Sequence, residues 1–163
     1  MDISTMDQGL LRRNPSLTPE EFYHHWLHKH APIVVPFFLH SGAQHYEQIH
    51  GPLIPSNTAS TPSVDISTYD GAAGMPPQSI LDNPAPMPKW KQDYYQEVIL
   101  ADERRFLVSE ALDHIYRVPP GTVKGERKVV IDQGKCLIEV SDEIWKVWKE
   151  YEARGVAEKE GGK

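Results

Sequence analysis

The stretch SLTPEEFYHHWLHKHAPIV, residues 16–34, carries the strongest local signal in the sequence and sets the start of a helix. Thr18 is a favoured N-cap residue, and Pro19 suits the first helical position. Glu21 follows Thr18 by three residues, which is the spacing of a capping box. We therefore expect a helix from Thr18 to at least His30, and two later prolines leave its further course open.

Four of the eight histidines lie in this stretch, and helical geometry separates them. The apolar side chains gather on one face of the helix, and His30 lies near the middle of that face. His24, His25 and His28 point towards solvent or a partner. His24 and His28 have the spacing to share a metal ion with a nearby glutamate, but the H-E-x-x-H pattern is missing, so we expect no metal site. For His30, a purely structural role as a core histidine stays open.

The composition is that of an ordinary globular protein. The chain has 163 residues, of which 39% are hydrophobic and 25% charged, with a formal net charge of −6, and this suits one domain. The acidic balance disfavours a nucleic-acid partner, because phosphate binding needs clustered Lys and Arg. We also expect no membrane partner, since no apolar run approaches the roughly 20 residues that span a bilayer. The lack of a signal-peptide pattern and the single cysteine, Cys136, favour a cytoplasmic protein.

The order of the predicted elements indicates an α+β fold. Besides the capped helix, we predict strands in residues 8–13, 43–51, 66–74 and 114–118, a helix in 89–112, a hairpin in 127–140 and a last helix from Ser141 to about Gly155. Residues 52–67 are expected to form a loop, and the proline-rich residues 76–88 no continuous element. The order β-α-β-β-α-β, followed by a hairpin and a helix, is typical of a ferredoxin-like unit.

Four motifs occur together between about residues 8 and 118. They are the Leu-Thr-Pro-Glu-Glu-Phe opening, Trp26 with His30-Ala31-Pro32, the strand residues Tyr46, Gln48 and His50, and the pair Asp70-Gly71. Together they resemble the EthD-domain family. The resemblance implies a dimeric α+β barrel, in which two ferredoxin-like protomers form a homodimer and each keeps a pocket between sheet and helices. It also implies an EthD-like domain over residues 1–118, with a proline-rich insertion at about 52–88, and a C-terminal extension over 119–163.

The resemblance also suggests a class of chemistry. Similar fungal members, from secondary-metabolite pathways, resemble enzymes that dehydrate, decarboxylate or cyclise polyketide intermediates without a cofactor. The sequence has no P-loop, G-x-G-x-x-G, G-x-S-x-G or C-x-x-C pattern, which disfavours most nucleotide, hydrolase and redox functions. We therefore expect a cofactor-independent lyase, either a dehydratase or a cyclase, that works by proton transfer.

The residues suited to this chemistry are histidines, an aspartate and a tyrosine. We expect His30 and His50 to share the acid and base roles, because imidazole transfers protons near neutral pH. Asp70 would orient one of them or act as a base, and Tyr46 would donate a hydrogen bond to the substrate's carbonyl oxygen. The flat apolar walls for an aromatic or polyene substrate would be Trp26, Phe22 and Phe37.

Simpler explanations and other functions stay open. His50 stands before a glycine and a proline and suits a turn, Asp70-Gly71 is common turn chemistry, and Tyr46 is suited to packing. A haem-binding member of the same barrel superfamily would use the inward histidine as an iron ligand, and colour would identify it. A non-catalytic carrier of small molecules would bind ligand without turnover.

Overall fold

The structure is a computed structural model, and it describes residues 6–56, 65–75 and 86–161, with side chains as far as residue 157. Half of the predicted loop at 52–67 and most of the proline-rich stretch at 76–88 lie outside the described residues. The strands are β1 (Asp7–Leu11), β2 (His45–Pro55), β3 (Gly71–Met75), β4 (Tyr116–Val118), β5 (Val123–Asp132) and β6 (Lys135–Cys136).

Two long helices are each interrupted by a π-turn. Helix α1 consists of Pro19–His25, the π-turn Trp26–His30 and Ala31–His40, and helix α2 consists of Lys89–Tyr94, the π-turn Tyr95–Leu100 and Ala101–Phe106. The shorter elements are a 3-10 turn (Ile66–Thr68) and helix α3 (Ala111–His114), and the chain ends with helix α4 (Asp142–Gly161). None of the helices in the described ranges is long and apolar enough to cross a membrane.

The strands of the described residues form one antiparallel sheet in the order β4-β1-β3-β2-β5-β6. Helices α1 and α2 pack against the same face of this sheet. Phe22 of α1 lies 5.7 Å from Phe106 of α2, measured between ring centroids, and the ring of Trp26 reaches over Gly71 of β3. The protein therefore combines helices with an antiparallel sheet and has the predicted α+β class.

The start of α1 follows the sequence prediction. Thr18 accepts a hydrogen bond from the backbone of Glu21, and the Glu21 side chain accepts one from the backbone of Thr18, so the capping box is present. The helix then continues well beyond His30. Pro32 lies in the first turn of the segment after the π-turn, where a missing N–H costs little, and Pro36 lies inside that segment.

Several predicted boundaries were wrong. The strand predicted at 66–74 forms only over Gly71–Met75, after the 3-10 turn Ile66–Thr68. Strand β2 does not stop at Gly51 but continues to Pro55, because it stays paired with β5. Helix α2 ends at Phe106, before the predicted residue 112. Gly155 does not end the last helix. A Cβ at this position would lie 2.3 Å from Cδ1 of Trp90, so glycine lets α4 approach α2 closely.

The C-terminal elements extend the same sheet and cover α2. β5 pairs along β2, and the predicted hairpin turn is confirmed, with Gln133 and Gly134 at φ angles of 51° and 73°. Trp148 of α4 packs edge-on against Tyr94 of α2, with ring centroids 4.8 Å apart. The described elements after residue 118 thus share their sheet and core with the preceding part of the chain.

Candidate functional site

A buried carboxylate on α2 joins two histidines of α1. Nδ1 of His30 lies 2.8 Å from Oδ2 of Asp102, and Nε2 of His25 lies 2.9 Å from Oδ1 of the same carboxylate. The side chains of His30 and Asp102 are 7% and 8% exposed, and that of His25 is 18% exposed. His30 therefore faces inward, as the helical pattern predicted.

The prediction that His25 points towards solvent or a partner was wrong. An ordinary helical wheel places residues five apart about 140° from each other. The π-turn changes this, because the backbone N–H of Ala31 bonds to the carbonyl of Trp26, five residues earlier. His25 and His30 consequently lie on the same side of α1 and meet one carboxylate. The other two histidines of the stretch, His24 and His28, are exposed, with ring centroids 4.9 Å apart.

The pKa values of two neighbouring carboxyl groups in this cluster are shifted in opposite directions. Burial works to raise the pKa of Asp102, but the hydrogen bonds from His25 and His30 outweigh it and hold that pKa below its ordinary value. Asp102 is therefore ionised at neutral pH and accepts the ring N–H of each histidine. Burial raises the pKa of Glu103, although its carboxylate accepts the backbone N–H of Ala111. Oε2 of Glu103 lies 4.0 Å from Nε2 of His30.

His50 lies in a separate group on the helix-facing side of β2. Its ring is stacked on those of Tyr23 and Trp26, at centroid distances of 5.0 Å and 5.2 Å. Nε2 of His50 lies 2.8 Å from Oε1 of Gln48. Burial, assisted by nearby Lys128, lowers the pKa of His50 to about 4. The imidazole is therefore neutral at pH 7 and donates its Nε2 proton to Gln48.

Tyr46 is linked to His50 through Gln48. Nε2 of Gln48 donates to the Tyr46 hydroxyl at 3.2 Å and to the backbone carbonyl of Trp26 at 2.9 Å. Because Tyr46 accepts from Gln48, its own phenolic proton is left for another acceptor. Burial raises the pKa of Tyr46 to about 12, so the phenol stays protonated. Tyr46, Gln48 and His50 share one face of β2, as the alternating pattern predicted.

Asp70 lies away from both His30 and His50 in its contacts. Its carboxylate accepts the backbone N–H of Arg13 at 2.9 Å and pairs with the Arg13 guanidinium, with Nε 3.2 Å from Oδ1. Its backbone carbonyl accepts the hydroxyl of Tyr23 at 3.0 Å. Asp70 thus acts on His50 only indirectly, by holding the tyrosine that stacks on that ring.

The three predicted aromatic walls have different surroundings. Phe37 and Tyr46 line a cavity of about 360 Å³, together with Phe38 and His45. Phe22 and Trp26 are packed inside the core, at 0% and 2% exposure. Phe22 contacts Phe106, whose ring also lies 4.8 Å from that of His30. The structure therefore places Tyr46 and Phe37 at a cavity. Phe22 and Trp26 lie in the core instead, where Phe22 contacts Phe106 and Trp26 stacks on His50.

Asp102, Glu103 and His25 were missed by the sequence reasoning. A signal for the two acidic residues was present, because Ile99, Asp102, Glu103 and Phe106 follow the i, i+3, i+4, i+7 spacing of one buried helix face. Charged residues in such a stripe are rarely buried unless paired. No corresponding signal marked His25, since its position depends on the π-turn.

Comparison with known proteins identifies the family. A family model described as the EthD domain matches residues 14–110, which is more than half of the chain. The chain belongs to the EthD-domain family. The matched residues include both parts of the histidine–carboxylate cluster as well as the Tyr46–Gln48–His50 series. Searches of curated proteins and of solved structures give no significant match.

Proposed function

We propose that this EthD-domain protein is a cofactor-independent lyase, a dehydratase or cyclase, that acts on a polyketide-type intermediate by acid–base catalysis. The observation that carries the proposal is the buried pair of His30 and ionised Asp102. A carboxylate at Nδ1 holds the ring in the Nδ1–H form. In the neutral ring this leaves the lone pair on Nε2, which is the atom suited to accept a proton.

In the proposed dehydration, His30 and Glu103 exchange protons with the substrate and with each other, and neither gains or loses a proton overall. Nε2 of His30 removes the proton from the carbon between the carbonyl and the carbinol, and Asp102 stabilises the imidazolium that results. The electron pair then forms the new carbon–carbon double bond, and the β-hydroxyl leaves with a proton from Glu103, whose raised pKa favours the acid form. The proton on His30 returns to Glu103 across the 4.0 Å between Nε2 and Oε2, so that both groups are restored and one water is released.

Ring closure by aldol addition would use the same two groups. His30 would form the enolate, and Glu103 would protonate the alkoxide produced at the second carbonyl. For an aromatic or polyene substrate, the cavity lined by Phe37 and Tyr46 offers apolar surface, and the phenolic proton of Tyr46 suits a carbonyl oxygen. Its lining does not include His30 or Glu103, so a substrate held there must extend from the cavity to reach them.

His50 and Asp70 receive different roles in this proposal from those predicted. A neutral ring with a pKa of about 4, stacked on two aromatic rings, is a poor acid near pH 7. We propose that His50 positions Gln48 and through it Tyr46, and that Asp70 positions Tyr23. An acid or base role for either residue stays a prediction.

The proposal extends to a ferredoxin-like protomer that forms a homodimeric barrel. The strand order β4-β1-β3-β2 supports the first part, because a β-α-β-β-α-β chain of that kind places its first and third strands at the centre. Light scattering coupled to size-exclusion chromatography tests the second part. A mass of twice 18.5 kDa is expected, and a monomeric mass would contradict the dimer.

The enzymatic proposal is tested by turnover of β-hydroxy ketone polyketide analogues. We expect His30→Gln to lower kcat by about 100-fold or more, the usual contribution of a positioned acid or base. His24→Gln is the matched control, because His24 lies on the same helix but is exposed, and it should keep the wild-type rate. Equal rates for the wild type and His30→Gln, both folded, would refute the proposal.

The two other function classes are tested with the same His30→Gln variant. Ligand binding that survives His30→Gln, with no turnover by any variant, would indicate a carrier. A Soret band in the protein reconstituted with haem, lost in His30→Gln, would indicate a haem protein. Both results would replace the lyase proposal.

A further inference from the structure

The Asp102 carboxylate accepts hydrogen bonds from two histidines, His30 and His25. Oδ2 of Asp102 receives His30 at 2.8 Å, whereas His25 lies against both oxygens, with its Nε2 2.9 Å from Oδ1 and 3.1 Å from Oδ2. In the proposed reaction only His30 exchanges a proton with substrate. His25 has no part in that proton balance.

The packing fixes His25 firmly. Its ring is stacked on Phe106 of α2, with centroids 4.8 Å apart and ring planes 20° from parallel. The π-turn Trp26–His30 aligns it with His30, which an uninterrupted α-helix would turn about 140° away. π-turns of this kind are frequent at functional sites. Two independent features thus hold the Nε2–H of His25 towards Asp102.

Asp102 has a competing partner on its own helix. Nη1 of Arg105 lies 3.7 Å from Oδ1, and the Arg105 side chain is 73% exposed. Without a donor from His25, the carboxylate is free to turn towards this guanidinium and the solvent around it. Such a rotation would weaken the hydrogen bond at Nδ1 of His30 and release the ring from the Nδ1–H form.

We propose that His25 is a positioning residue, which holds the Asp102 carboxylate so that Oδ2 accepts Nδ1–H of His30 and Nε2 of His30 keeps its lone pair. The catalytic meaning of this arrangement rests on the proposed function. The arrangement itself consists of the hydrogen bonds from His25 and His30 to Asp102. It can be measured without any substrate.

Three variants separate the hydrogen bond of His25 from its bulk. His25→Gln places an amide N–H about where Nε2 stands and keeps the donor. His25→Phe keeps a flat ring against Phe106 but removes the donor. His24→Phe introduces the same side chain at the neighbouring exposed position and is the matched control.

The readout is ¹⁵N NMR of histidine-labelled protein in mildly alkaline solution, which shows the nitrogen that carries each ring proton. We expect His30 to carry its proton on Nδ1 in the wild type, in His25→Gln and in His24→Phe. In His25→Phe we expect a mixture of both ring forms and exchange of the His30 ring proton with water about tenfold faster or more, in line with losing an orienting partner.

The wild-type spectrum alone can overturn the proposal, even if a variant fails to fold. A proton on Nε2 of His30, with Nδ1 bare, would contradict it. So would a His25→Phe protein that keeps both the Nδ1–H form and the wild-type exchange rate, or a His25→Gln protein disturbed as much as His25→Phe. The last result would show that the donated hydrogen bond alone does not hold Asp102. A disturbed His25→Gln beside an undisturbed His25→Phe would assign His25 a packing role only.

Kinetics with a turned-over substrate distinguish this proposal from the enzymatic one. His25→Phe should lower kcat about tenfold with KM unchanged, and His25→Gln should restore it. Turnover that is indifferent to His30→Gln would refute the enzymatic proposal and leave the NMR result standing. A disturbed NMR result for His25→Gln would refute the positioning role and leave the dependence on His30 standing.

Discussion

Replacing Asp102 with asparagine tests the centre of the site most directly. Asparagine has nearly the same shape as aspartate, but it offers one acceptor oxygen and one N–H₂ donor. The two histidine nitrogens that face Asp102 both donate. In the variant, one of them meets the carbonyl oxygen and the other meets a second donor. One histidine must therefore change its ring form or lose its partner.

The loss of stability in Asp102→Asn follows from the burial of the Asp102 carboxylate. Asp102 and His30 are 8% and 7% exposed, so water does not replace the lost bond. A hydrogen bond to a charged group contributes about 1.5–3 kcal/mol, and an unsatisfied buried donor adds a further penalty. We expect Asp102→Asn to lower the free energy of unfolding by about 2–4 kcal/mol, and to lower kcat by about 100-fold or more where His30 adopts the wrong ring form.

Urea unfolding measures the stability change, provided that the slope of the free energy against urea stays constant. Asp93→Asn is the matched control, because Asp93 lies on the same helix and pairs with Lys89, whose side chain is 71% exposed. That pair should contribute no more than about 0.5 kcal/mol. An Asp102→Asn protein within about 0.5 kcal/mol of the wild type would refute the view that the carboxylate is a buried, charge-assisted acceptor.

Three further predictions concern stability. Thr18→Ala removes the capping box and should cost about 1 kcal/mol in urea unfolding, and a neutral result would contradict the contribution of the cap. Gly155→Ala improves helix propensity but places a Cβ 2.3 Å from Trp90, so we expect a net loss of about 1–3 kcal/mol in the same assay, and a stabilised variant would be inconsistent with that contact. His50 has a folded pKa of about 4, below its value when unfolded. The unfolded chain therefore binds the extra proton first, and stability should fall as the pH decreases from about 6.5 to 4. His50→Phe should flatten this decrease in thermal unfolding at several pH values, and an unchanged slope would count against it.

Much of the local structure was predictable because it depends on neighbours in sequence. The capping box of Thr18 and Glu21 acts within one helical turn, and the alternation of β2 places Tyr46, Gln48 and His50 on one face. The inward direction of His30 follows from its place in the apolar stripe. These features recur in any chain with the same local pattern, which is also why the family could be recognised from the motifs.

The partners of the site could not be predicted in the same way. Asp102 lies 72 residues after His30 in the chain, and only the packing of α1 against α2 brings their side chains together. The buried spacing of Asp102 and Glu103 marked them as unusual, but no pattern indicated which side chains they would meet.

The sequence by itself determined where α1 begins, that His30 faces inward, and that the chain belongs with the EthD-domain proteins. Only the tertiary structure decided that His25 joins His30 at one carboxylate. The reason is that a π-turn exchanges i→i+4 hydrogen bonds for an i→i+5 bond. Its extra residue turns His25 towards α2, and contacts with Asp102 and Phe106 stabilise it there.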